Sequence, residues 1–432
     1  MRKIKNLNIA IVGLGNIGLN LYKHLIKNKQ NIKKKTNVNL DIKYVSAKNR
    51  FKKRKANIPK KKWLKNYLYA SKRPDIDLVV ELIGGSEGPA RKLVFNSLKN
   101  KKHVVTANKA LISKHGDSLS KLAEKNKVNL EFEAAVAGGV PIIRVIKEGL
   151  ITNKINKICG ILNGTSNYIL SKMFEKNKNF NDVLNDAKEL GYAESNPIAD
   201  LNGDDAKSKI QILASLAFNS LINREKINVE GIKEVDQIDI QNAKLLDYKI
   251  KHLAIAEIKK NRLIQRVHPC MVPTDSFISN INGVLNAVII DGIPIGRFTI
   301  QGEGAGPGPT TSSLVSDICS ILRGNVKLPF SIPSKKRKKI KSIDISGETF
   351  SSYIRIDVND ITGVLSSVTK ILSKNRVSVK RLIQNPFKNR KFASIIIITH
   401  KSKNSNLVNS IKELSNKKFV INKPKFFRIE EI

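Results

Sequence analysis

The residues of this chain best suited to chemistry are two charged side chains four positions apart in a glycine-rich segment. In GYAESNPIADLNGDDAKSK, residues 191–209, Asp205 and Lys209 would lie on one face of a helix that continues into IQILASLAF. A lysine flanked by carboxylates keeps its charge, so it can stabilise negative charge that develops on an oxygen and then protonate it. An exposed helical ion pair is the alternative interpretation of this spacing.

Two further features add to these candidate catalytic groups. The loop before the helix contains Glu194, Asp200 and Asp204 among glycine and proline, which is typical of a substrate-binding turn. In TANKALI, Lys109 follows an apolar run, at the end where the strands of a parallel sheet bind ligands. Two segments of the chain therefore carry most of the groups that catalysis would need.

A nucleotide-binding motif opens the chain. The apolar run NIAIV leads into GLGNIG, and LNLYKHLIKN follows with helical spacing. Gly13 allows the tight turn, Gly15 lets the backbone approach a pyrophosphate, and Gly18 permits close packing of the helix. Because the N–H groups at a helix N-terminus favour phosphate oxygens, we predict a dinucleotide site, with a turn that binds nothing as the alternative.

The tip of the second predicted strand, NLDIKYVS, indicates which dinucleotide binds. NAD sites usually place an acidic residue there to bind the ribose hydroxyls. This chain has Ser46, Lys48 and Arg50 at or just beyond the tip, whereas Asp41 lies at the beginning of the strand. Lys48 and Arg50 suit a 2′-phosphate, so we predict NADP(H) as the preferred cofactor and NAD(H) as the alternative.

Strands alternate with helices in the first part of the chain. Apolar runs at residues 77–84 and 102–108 flank a helix near residues 89–98, and such continuous apolar runs are typical of a parallel sheet covered on both faces. This pattern predicts an α/β, doubly wound (Rossmann) nucleotide-binding domain. Longer helices mixed with strands then predict an α+β catalytic and dimerisation domain, and the C-terminal segment follows a βαββαβ order.

The predicted domain bounds follow from these changes of pattern. They are a nucleotide-binding domain at 1–132 that the helix of 305–330 completes, a catalytic domain at 133–304, a basic linker at 331–350 and a C-terminal domain at 351–432. The linker, which contains SIPSKKRKKIK, is expected to be a solvated tether. The C-terminal unit is expected to be able to fold alone.

The net charge of +42 raises the question of an anionic partner. Lysine is spread along nearly every polar segment and aromatic residues make up only 6%, whereas nucleic-acid-binding proteins concentrate basic residues on one face. We therefore predict no nucleic-acid partner. We also predict no membrane association and a cytoplasmic location, because no apolar run could span a bilayer, no signal peptide precedes the first strand, and the cysteines are few and scattered.

Together these motifs resemble those of homoserine dehydrogenase over nearly the whole chain. The family's signature, Gly-aromatic-Ala-Glu followed by Pro and then Asp-Leu-Asn-Gly-x-Asp-x-x-x-Lys, is present at residues 191–209. The supporting motifs are GLGNIG, ELIGG, TANKALI, NGTSNYIL, VHPCMVP and GEGAGPGPT. The resemblance implies NAD(P)H-dependent reduction of L-aspartate 4-semialdehyde to L-homoserine, on the route to threonine, methionine and isoleucine.

The same resemblance implies roles for residues at matching positions. Glu194 and Asp205 would hold the substrate ammonium group, and either Lys209 or Lys109 would donate the proton. The implied substrate-binding residues are Tyr192, Glu194, Asp200 and Asp205, and the implied catalytic residues are Lys109, Asp205 and Lys209. The implied cofactor-binding residues are Gly13, Gly15, Asn16, Ile17, Gly18, Lys48, Arg50, Gly84, Thr106, Lys109, Gly302 and Glu303.

The segment FEAAVAGGVP resembles the family's monovalent-cation loop. Glu133 would supply a carboxylate, and the backbone oxygens of Val136, Gly138 and Val140 would complete a shell for an ion such as Na⁺. A glycine-rich hinge between domains is the alternative interpretation.

The C-terminal βαββαβ unit resembles an ACT domain. Its first strand-to-helix turn, VNDITGVLSSV, matches the turn of that family, and it provides Asn359, Asp360 and Gly363 as candidate regulatory residues. ACT domains commonly pair edge to edge and bind amino acids, so the resemblance implies a homodimer or homotetramer regulated by threonine. A tail that only promotes oligomer formation is the alternative.

Overall fold

The computed structural model describes residues 6–386 and 391–432. The N-terminal strands are β1 (Asn6–Val12), β2 (Asn39–Ser46), β3 (Leu78–Glu81), β4 (His103–Thr106) and β5 (Leu130–Glu131). They pair in the order β2-β1-β3-β4-β5, and every pair is parallel. The helices of this part are α1 (Asn16–Lys27), α2 (Lys29–Thr36), α3 (Tyr69–Lys72), α4 (Pro89–Lys99) and α5 (Lys109–Asn126). The predicted doubly wound sheet is confirmed.

Side chains on alternate positions of β1 explain why helices cover both faces of this sheet. Ile9 and Ile11 pack in one core with Leu21 of α1. Ala10, on the opposite face, packs in a second core with Leu93 of α4. A strand buried on both faces needs a continuous apolar sequence, which is what NIAIV provides.

A mixed, mainly antiparallel sheet forms the middle of the chain. Its strands are β6 (Lys154–Ile161), β7 (Ile227–Val229), β8 (Tyr248–Lys259), β9 (Arg262–Pro273), β10 (Leu285–Ile293) and β11 (Gly296–Glu303). Its helices are α6 (Ile142–Arg144), α7 (Gly164–Lys176), α8 (Phe180–Glu189), α9 (Ile198–Leu201), α10 (Asp204–Ala217) and α11 (Gln237–Leu245). The main strands pair in the order β11-β10-β6-β8-β9, and Ile210 and Leu213 of α10 pack in one core with Ala254 and Val288 of this sheet.

The next helix, α12 (Pro307–Leu322), returns to the N-terminal sheet. Leu314 and Ile318 of α12 pack in one core with Leu21 of α1. The hydroxyl of Thr311 donates to Asn20 Oδ1 at 2.9 Å, so one polar contact accompanies the apolar ones.

The C-terminal part follows the predicted βαββαβ order, with two additional short strands. Its elements are β12 (Ser342–Ile343), β13 (Thr349–Asn359), α13 (Val364–Lys374), β14 (Val379–Pro386), β15 (Phe392–Thr399), β16 (Ser402–Lys403), α14 (Asn404–Ser415) and β17 (Lys425–Ile429). Its sheet has the order β17-β13-β15-β14, and β17 also pairs in parallel with β9. The C-terminal unit is therefore not an isolated domain in this structure, because its sheet continues into the catalytic sheet.

The segment between the catalytic and C-terminal parts keeps its lysines exposed, as expected of a solvated tether, but buried residues anchor it at several positions. Arg337 is only 4% exposed; its guanidinium pairs with Asp117 at 2.8 Å and lies 4.0 Å from the ring centroid of Phe330. Further along, β12 pairs with β9. A basic sequence predicts exposure only on average, and an arginine can be buried where a carboxylate and an aromatic face receive it.

Two further features of the fold concern its apolar helices and its cysteines. No helix within the described ranges is long and apolar enough to cross a membrane. Cys159 and Cys270 are buried thiols without a disulfide, and Cys319 is a half-buried one. Burial raises the pKa of Cys159 to about 12, so this thiol is a core residue rather than a nucleophile.

Candidate active site

The glycine-rich loop after β1 has the shape that a dinucleotide requires. Gly13 has a φ of 109°, and a Cβ at this position would lie 2.2 Å from the carbonyl oxygen of Leu82. A Cβ at Gly18 would lie 1.9 Å from the Gly13 oxygen, so both positions need glycine for packing alone. Gly15 has no heavy atom within 4 Å of its Cβ position and precedes the first turn of α1. This open helix N-terminus fits a pyrophosphate.

Two of the predicted cofactor residues, Asn16 and Ile17, form that first turn and are exposed and half-buried, respectively. A third, Thr106, lies at the end of β4 and donates its hydroxyl to Glu81 Oε2 at 2.6 Å. The other oxygen of Glu81 accepts from the amides of Ile83 and Gly84 at 2.7 and 3.0 Å. The fully buried Glu81 thus shapes the loop beside the glycine-rich turn, a role that the ELIGG motif alone did not reveal.

The basic residues after β2 lie in an exposed loop with an internal anchor. Arg54 donates from Nε to the Leu14 carbonyl at 3.2 Å and from Nη2 to the Asn49 carbonyl at 2.7 Å. The guanidinium groups of Arg50 and Arg54 lie 5.9 and 5.3 Å from the ring centroid of Trp63. Sequence analysis identified Lys48 and Arg50 but missed Arg54, which ties this loop to the glycine-rich turn.

Lys109 is positioned by the residue before it. Asn108 caps α5, because its Oδ1 accepts from the amide of Leu111 at 3.0 Å. Its Nδ2 donates to the Gly85 carbonyl at 2.8 Å, which links α5 to the loop that Glu81 shapes. The Lys109 side chain therefore starts at the C-terminal edge of the parallel sheet. Its Nζ lies 2.5 Å from Oδ1 of Asp205.

Asp205 and Lys209 occupy the first two turns of α10. Lys209 Nζ lies 2.8 Å from Asp205 Oδ2 and donates to the Leu162 carbonyl at 2.6 Å. The side chains of Asp205 and Lys209 are only 5% and 10% exposed, whereas that of Lys109 is 44% exposed. The spacing therefore does not mark an exposed helical ion pair, which was the alternative interpretation. Instead, the buried carboxylate of Asp205 forms ion pairs with the ammonium groups of both Lys109 and Lys209.

These groups differ in their affinity for protons. Burial lowers the pKa of Lys209 below its ordinary value, and the charge of Asp205 offsets only part of that effect. Burial acts in the same direction on Lys109, but the carboxylates of Asp205, Asp200 and Glu194 outweigh it and raise the pKa. Burial favours a protonated Asp205, yet the two ammonium groups hold the pKa of this carboxyl well below its usual range. Lys209 therefore releases a proton more readily than Lys109.

Asn163 connects the predicted carboxylates and was missed by sequence analysis. Its Nδ2 donates to Asp200 Oδ1 at 2.7 Å and to Asp205 Oδ2 at 2.9 Å. Its Oδ1 caps α7 by accepting from the Ser166 amide at 2.8 Å, which fixes the amide group in place. The signal was present in NGTSNYIL, where asparagine precedes a helix, but nothing local indicated which residues it would meet.

The other two predicted substrate residues form no hydrogen bond or ion pair with this cluster among the described residues. Tyr192 packs its ring 5.0 Å from the ring centroid of Tyr168, and its carbonyl accepts from the Thr165 hydroxyl at 2.8 Å. Glu194 is exposed and has no hydrogen-bond or ion-pair partner within residues 6–386 and 391–432. The structure thus brings together Lys109, Asp200, Asp205 and Lys209, and leaves Glu194 at the rim.

The predicted cation loop is tightly packed around Glu133. This side chain is 3% exposed, and its two oxygens accept from the amides of Ile143 and Arg144, both at 2.8 Å. Burial raises the pKa of Glu133 to about 7 against the effect of these donors. Gly138 presents its carbonyl to the hydroxyl of Ser313 at 2.7 Å. The described residues contain no cluster of acidic, histidine or cysteine side chains that could hold a metal.

Gly302 and Glu303 end β11 beside this loop. The Glu303 carbonyl accepts from the Gly139 amide at 3.0 Å, and a Cβ at Gly138 would lie 2.4 Å from the Gly304 oxygen. Below them, the side chain of Asn286 is fully buried, and neither its oxygen nor its nitrogen has a partner among the described residues. A buried amide group without hydrogen bonds lowers the stability of the fold. Asn286 therefore has a donor and an acceptor still available beside the candidate cofactor site.

The candidate regulatory turn lies between β13 and α13. Gly363 precedes α13 with a φ of 89° and has no heavy atom within 4 Å of its Cβ position. The backbone N–H of Asn359 donates to the Phe419 carbonyl at 2.9 Å, and Asp360 Oδ1 accepts from Gln384 Nε2 at 3.2 Å. The turn is therefore held by its neighbours and leaves the start of a helix open.

Comparisons with known proteins identify the family of this chain. Family models match residues 13–133 (homoserine dehydrogenase, NAD binding domain), 141–319 (homoserine dehydrogenase) and 352–416 (ACT domain). The homoserine dehydrogenase of Pseudomonas aeruginosa is 37% identical, covering 92% of this chain and 93% of the relative, and that of Helicobacter pylori is 37% identical over 99% of both. The crystal structure of a homoserine dehydrogenase from Thiobacillus denitrificans superposes with a TM-score of 0.92 at 34% identity over 100% of both chains. The chain with the glycine-rich turn and the Lys109–Asp205–Lys209 cluster belongs to the homoserine dehydrogenase family of NAD(P)-dependent oxidoreductases.

Proposed function

We propose that this chain catalyses the NAD(P)H-dependent reduction of L-aspartate 4-semialdehyde to L-homoserine, on the route to threonine, methionine and isoleucine. The observation that carries the proposal is the Asp205 carboxylate held between the ammonium groups of Lys109 and Lys209, at 2.5 and 2.8 Å. Lys109 follows β4 at the edge of the sheet that also carries the glycine-rich turn. A carbonyl group at this edge would lie between a dinucleotide site and two ammonium groups.

The substrate is a short zwitterion, and the acidic groups at the site suit its ammonium end. Asp205 is ionised, and Glu194 at the rim is free to accept a hydrogen bond. Asp200 is oriented toward the same cluster by Asn163. We infer that Glu194 and Asp205 bind the ammonium group, that Asp200 and Tyr192 line the same pocket, and that the aldehyde is thereby directed toward the lysines.

The nicotinamide ring supplies a hydride to the aldehyde carbon when the cofactor is bound. Negative charge then develops on the aldehyde oxygen, where a neighbouring ammonium group stabilises it. Lys209 uses two of its three N–H bonds on Asp205 and Leu162, which leaves one for the substrate oxygen. Because its pKa is lowered and that of Lys109 is raised, Lys209 is the proton donor that we favour and Lys109 the electrostatic clamp.

NADP(H) is the cofactor that the loop after β2 favours. Lys48 and Arg50 supply positive charge, and Arg54 holds the loop against the Leu14 carbonyl of the glycine-rich turn. Asp41, the acidic residue of β2, lies at the start of the strand near Lys43 and Lys62, away from this tip. A 2′-phosphate would meet cations there, whereas a free ribose diol would meet no carboxylate.

A monovalent cation such as Na⁺ is a further part of the proposal, with a carboxylate oxygen from Glu133 and main-chain oxygens as its ligands. Each oxygen of Glu133 accepts one backbone amide at α6 and keeps a second lone pair for an ion. The carbonyl groups of Val136, Gly138 and Val140 each have a second lone pair available for an ion. Hard cations accept such carbonyl ligands.

Regulation and assembly complete the proposal. The open start of α13 after Gly363 suits the polar groups of an amino acid such as threonine. A homodimer or homotetramer is the assembly we expect, and reduced cysteines are consistent with work in the cytoplasm.

A direct assay tests the activity. The purified chain is mixed with L-aspartate 4-semialdehyde and either NADPH or NADH, and cofactor oxidation is followed by absorbance. We expect oxidation that requires the semialdehyde and is faster with NADPH. Absence of turnover with both cofactors would disprove the proposed activity.

A further inference from the structure

One strand of the C-terminal ACT domain, β17, joins the ACT sheet to the catalytic sheet. β17 pairs in parallel with β9 through Arg428 and Ile429, which lie opposite Cys270 and Met271. On its other edge β17 pairs with β13 of the ACT domain. Side chains of β17 therefore contact residues of the catalytic domain.

Arg428 makes a buried polar contact across this boundary. It is 2% exposed, and its Nη1 lies 3.0 and 2.9 Å from the two carboxylate oxygens of Glu230. Its Nε donates to Asn404 Oδ1 at 2.8 Å, and its guanidinium lies 5.0 Å from the ring centroid of Phe426. Its Nη1 also lies 3.1 Å from Nδ1 of His268 in β9. The arginine is thus held by ACT-domain groups on one side and contacts a carboxylate and a histidine of the catalytic domain on the other.

The segment that carries Glu230 packs directly on the turn before α10. The Ile232 amide donates to the Leu201 carbonyl at 2.9 Å. A Cβ at Gly231 would lie 2.4 Å from that same oxygen and 2.8 Å from Asn202 Cα, so the two backbones are in contact. A displacement of Glu230 along this segment would therefore push on the residues between Asp200 and Asp205.

His252 makes a second connection between the same two segments. Its Nε2 lies 3.0 Å from the Glu230 carbonyl, which can only accept, so Nε2 carries the proton. Its Cε1 lies 3.3 Å from the Cβ position of Gly203, the residue immediately before α10 and two positions before Asp205. The histidine is buried, and it fills the space between Glu230 and the start of the helix that carries Asp205 and Lys209.

We propose that Arg428 is a positioning residue of the active site contributed by the ACT domain: through Glu230 it fixes the 200–205 turn. This inference rests on the proposed function of Asp205. It also identifies a route by which a change in the ACT sheet reaches the catalytic carboxylate, over contacts of Arg428 with Glu230, of the 230–232 segment with Leu201, and of His252 with Gly203.

The boundary offers a matched control. Glu430, two residues after Arg428, makes the reciprocal contact, because its carboxylate binds Arg266 of β9 at 2.7 and 3.0 Å. Arg266 also contacts Glu257, and Glu430 lies 3.1 Å from Nε2 of His268, whose Nδ1 lies 3.1 Å from Arg428. Glu230→Gln and Glu430→Gln therefore each remove one charge from an arginine pair across the same boundary, but only the first removes the carboxylate that joins Arg428 to the segment packed on the turn.

The test compares steady-state kinetics, dinucleotide binding and Tm for Glu230→Gln, Arg428→Met, Arg428→Lys and Glu430→Gln. We expect Glu230→Gln and Arg428→Met to raise KM for the amino-acid substrate by about threefold to tenfold, as for other coupled positions. Kd for NADP(H) should be unchanged, because the dinucleotide site lies on another sheet. Arg428→Lys should raise KM less than Arg428→Met does. Glu430→Gln should lower Tm without raising KM.

The inference is wrong if Glu230→Gln and Glu430→Gln shift KM equally, or if neither shifts it while Tm falls. Asp205→Asn, assayed in parallel, separates this failure from a failure of the proposed function. Loss of turnover in Asp205→Asn together with a normal KM in Glu230→Gln would reject only the role of Arg428. Full turnover in Asp205→Asn would reject the proposed site, and the role of Arg428 with it.

Discussion

The Nζ atom of Lys109, on the first residue of α5, lies 2.5 Å from Oδ1 of Asp205 near the start of α10. The contact joins the helix that follows β4 of the nucleotide-binding sheet to the helix that covers the catalytic sheet. It therefore makes the geometry of the site depend on how the two parts pack, and it places a fixed cation beside Lys209. The predictions below depend on this relationship and on the two sites that flank it.

Lys209→Ala should lower kcat by about 100-fold to 10,000-fold, the usual contribution of a general acid. Binding of NADP(H), measured by fluorescence titration, should survive, because the glycine-rich turn lies on a different sheet. Lys207→Ala is the matched control, since Lys207 is on the same helix and, within the described part of the chain, its ammonium pairs only with Asp204, at 3.9 Å. Near-normal turnover of Lys209→Ala would remove the assignment.

The pH dependence of kcat distinguishes the two candidate donors. Reduction needs a protonated donor, so kcat should fall as pH rises through the lowered pKa of Lys209, and the reverse oxidation should speed up. The charge of Lys109 is one cause of that lowering. Lys109→Gln should therefore shift the falling limb to higher pH, whereas Lys114→Gln, five residues further along α5, should not. Disappearance of the limb in Lys109→Gln would make Lys109 the donor.

Gly15→Ala and Gly18→Ala should separate cofactor binding from folding. A Cβ at Gly15 meets no protein atom within 4 Å, so this variant should keep its Tm. It should weaken NADP(H) binding by about tenfold or more, equivalent to about 1.4 kcal/mol, because the pyrophosphate approaches the backbone there. Gly18→Ala should have a lower Tm and should also bind NADP(H) more weakly. Unchanged NADP(H) affinity in Gly15→Ala would mean that the turn does not bind the cofactor.

Replacing Lys48 and Arg50 together by alanine should change cofactor preference. We expect kcat/KM for NADPH to fall by about tenfold to 100-fold, in line with the loss of charge-assisted hydrogen bonds to a phosphate. The value for NADH should change little. Lys60→Ala, in another exposed basic segment, controls for the general loss of positive charge. Equal losses with NADPH and NADH would contradict a 2′-phosphate site in this loop.

A threonine titration tests the ACT domain as an effector site. Inhibition should appear in the native chain and weaken in Asp360→Asn, because Asp360 lies in the turn before Gly363. Activity without threonine should be the same in both proteins. A flat response of the native chain would exclude threonine inhibition and favour a role of the domain in assembly alone.

Local patterns were sufficient for much of this protein. The three glycines of the first turn, the alternation of strands and helices, and the βαββαβ order of the C-terminal unit each depend on short stretches of sequence. The Asp205–Lys209 pair was also visible, because a spacing of four places two side chains on one helical face. Its burial was not visible, since the same spacing is common on exposed helices.

Contacts between distant segments were not accessible in this way. Asn163 meets Asp200 and Asp205, and Arg54 meets Leu14, across many intervening residues. The basic segment at 331–350 did not reveal its buried anchors, because Arg337 is buried by Asp117 and Phe330, which lie on other elements. Composition predicts average exposure and not the partner that a particular side chain finds.

The sequence alone determined the fold class, the family resemblance and the identity of the charged residues, because periodicity, glycine turns and motif spacing are local properties of the chain. Only the tertiary structure decided that Lys109 and Lys209 share one carboxylate, that Glu194 stays at the rim, and that Arg428 reaches Glu230. Those contacts join residues far apart in the chain, and the packing of sheets and helices, rather than any local pattern, sets their distances.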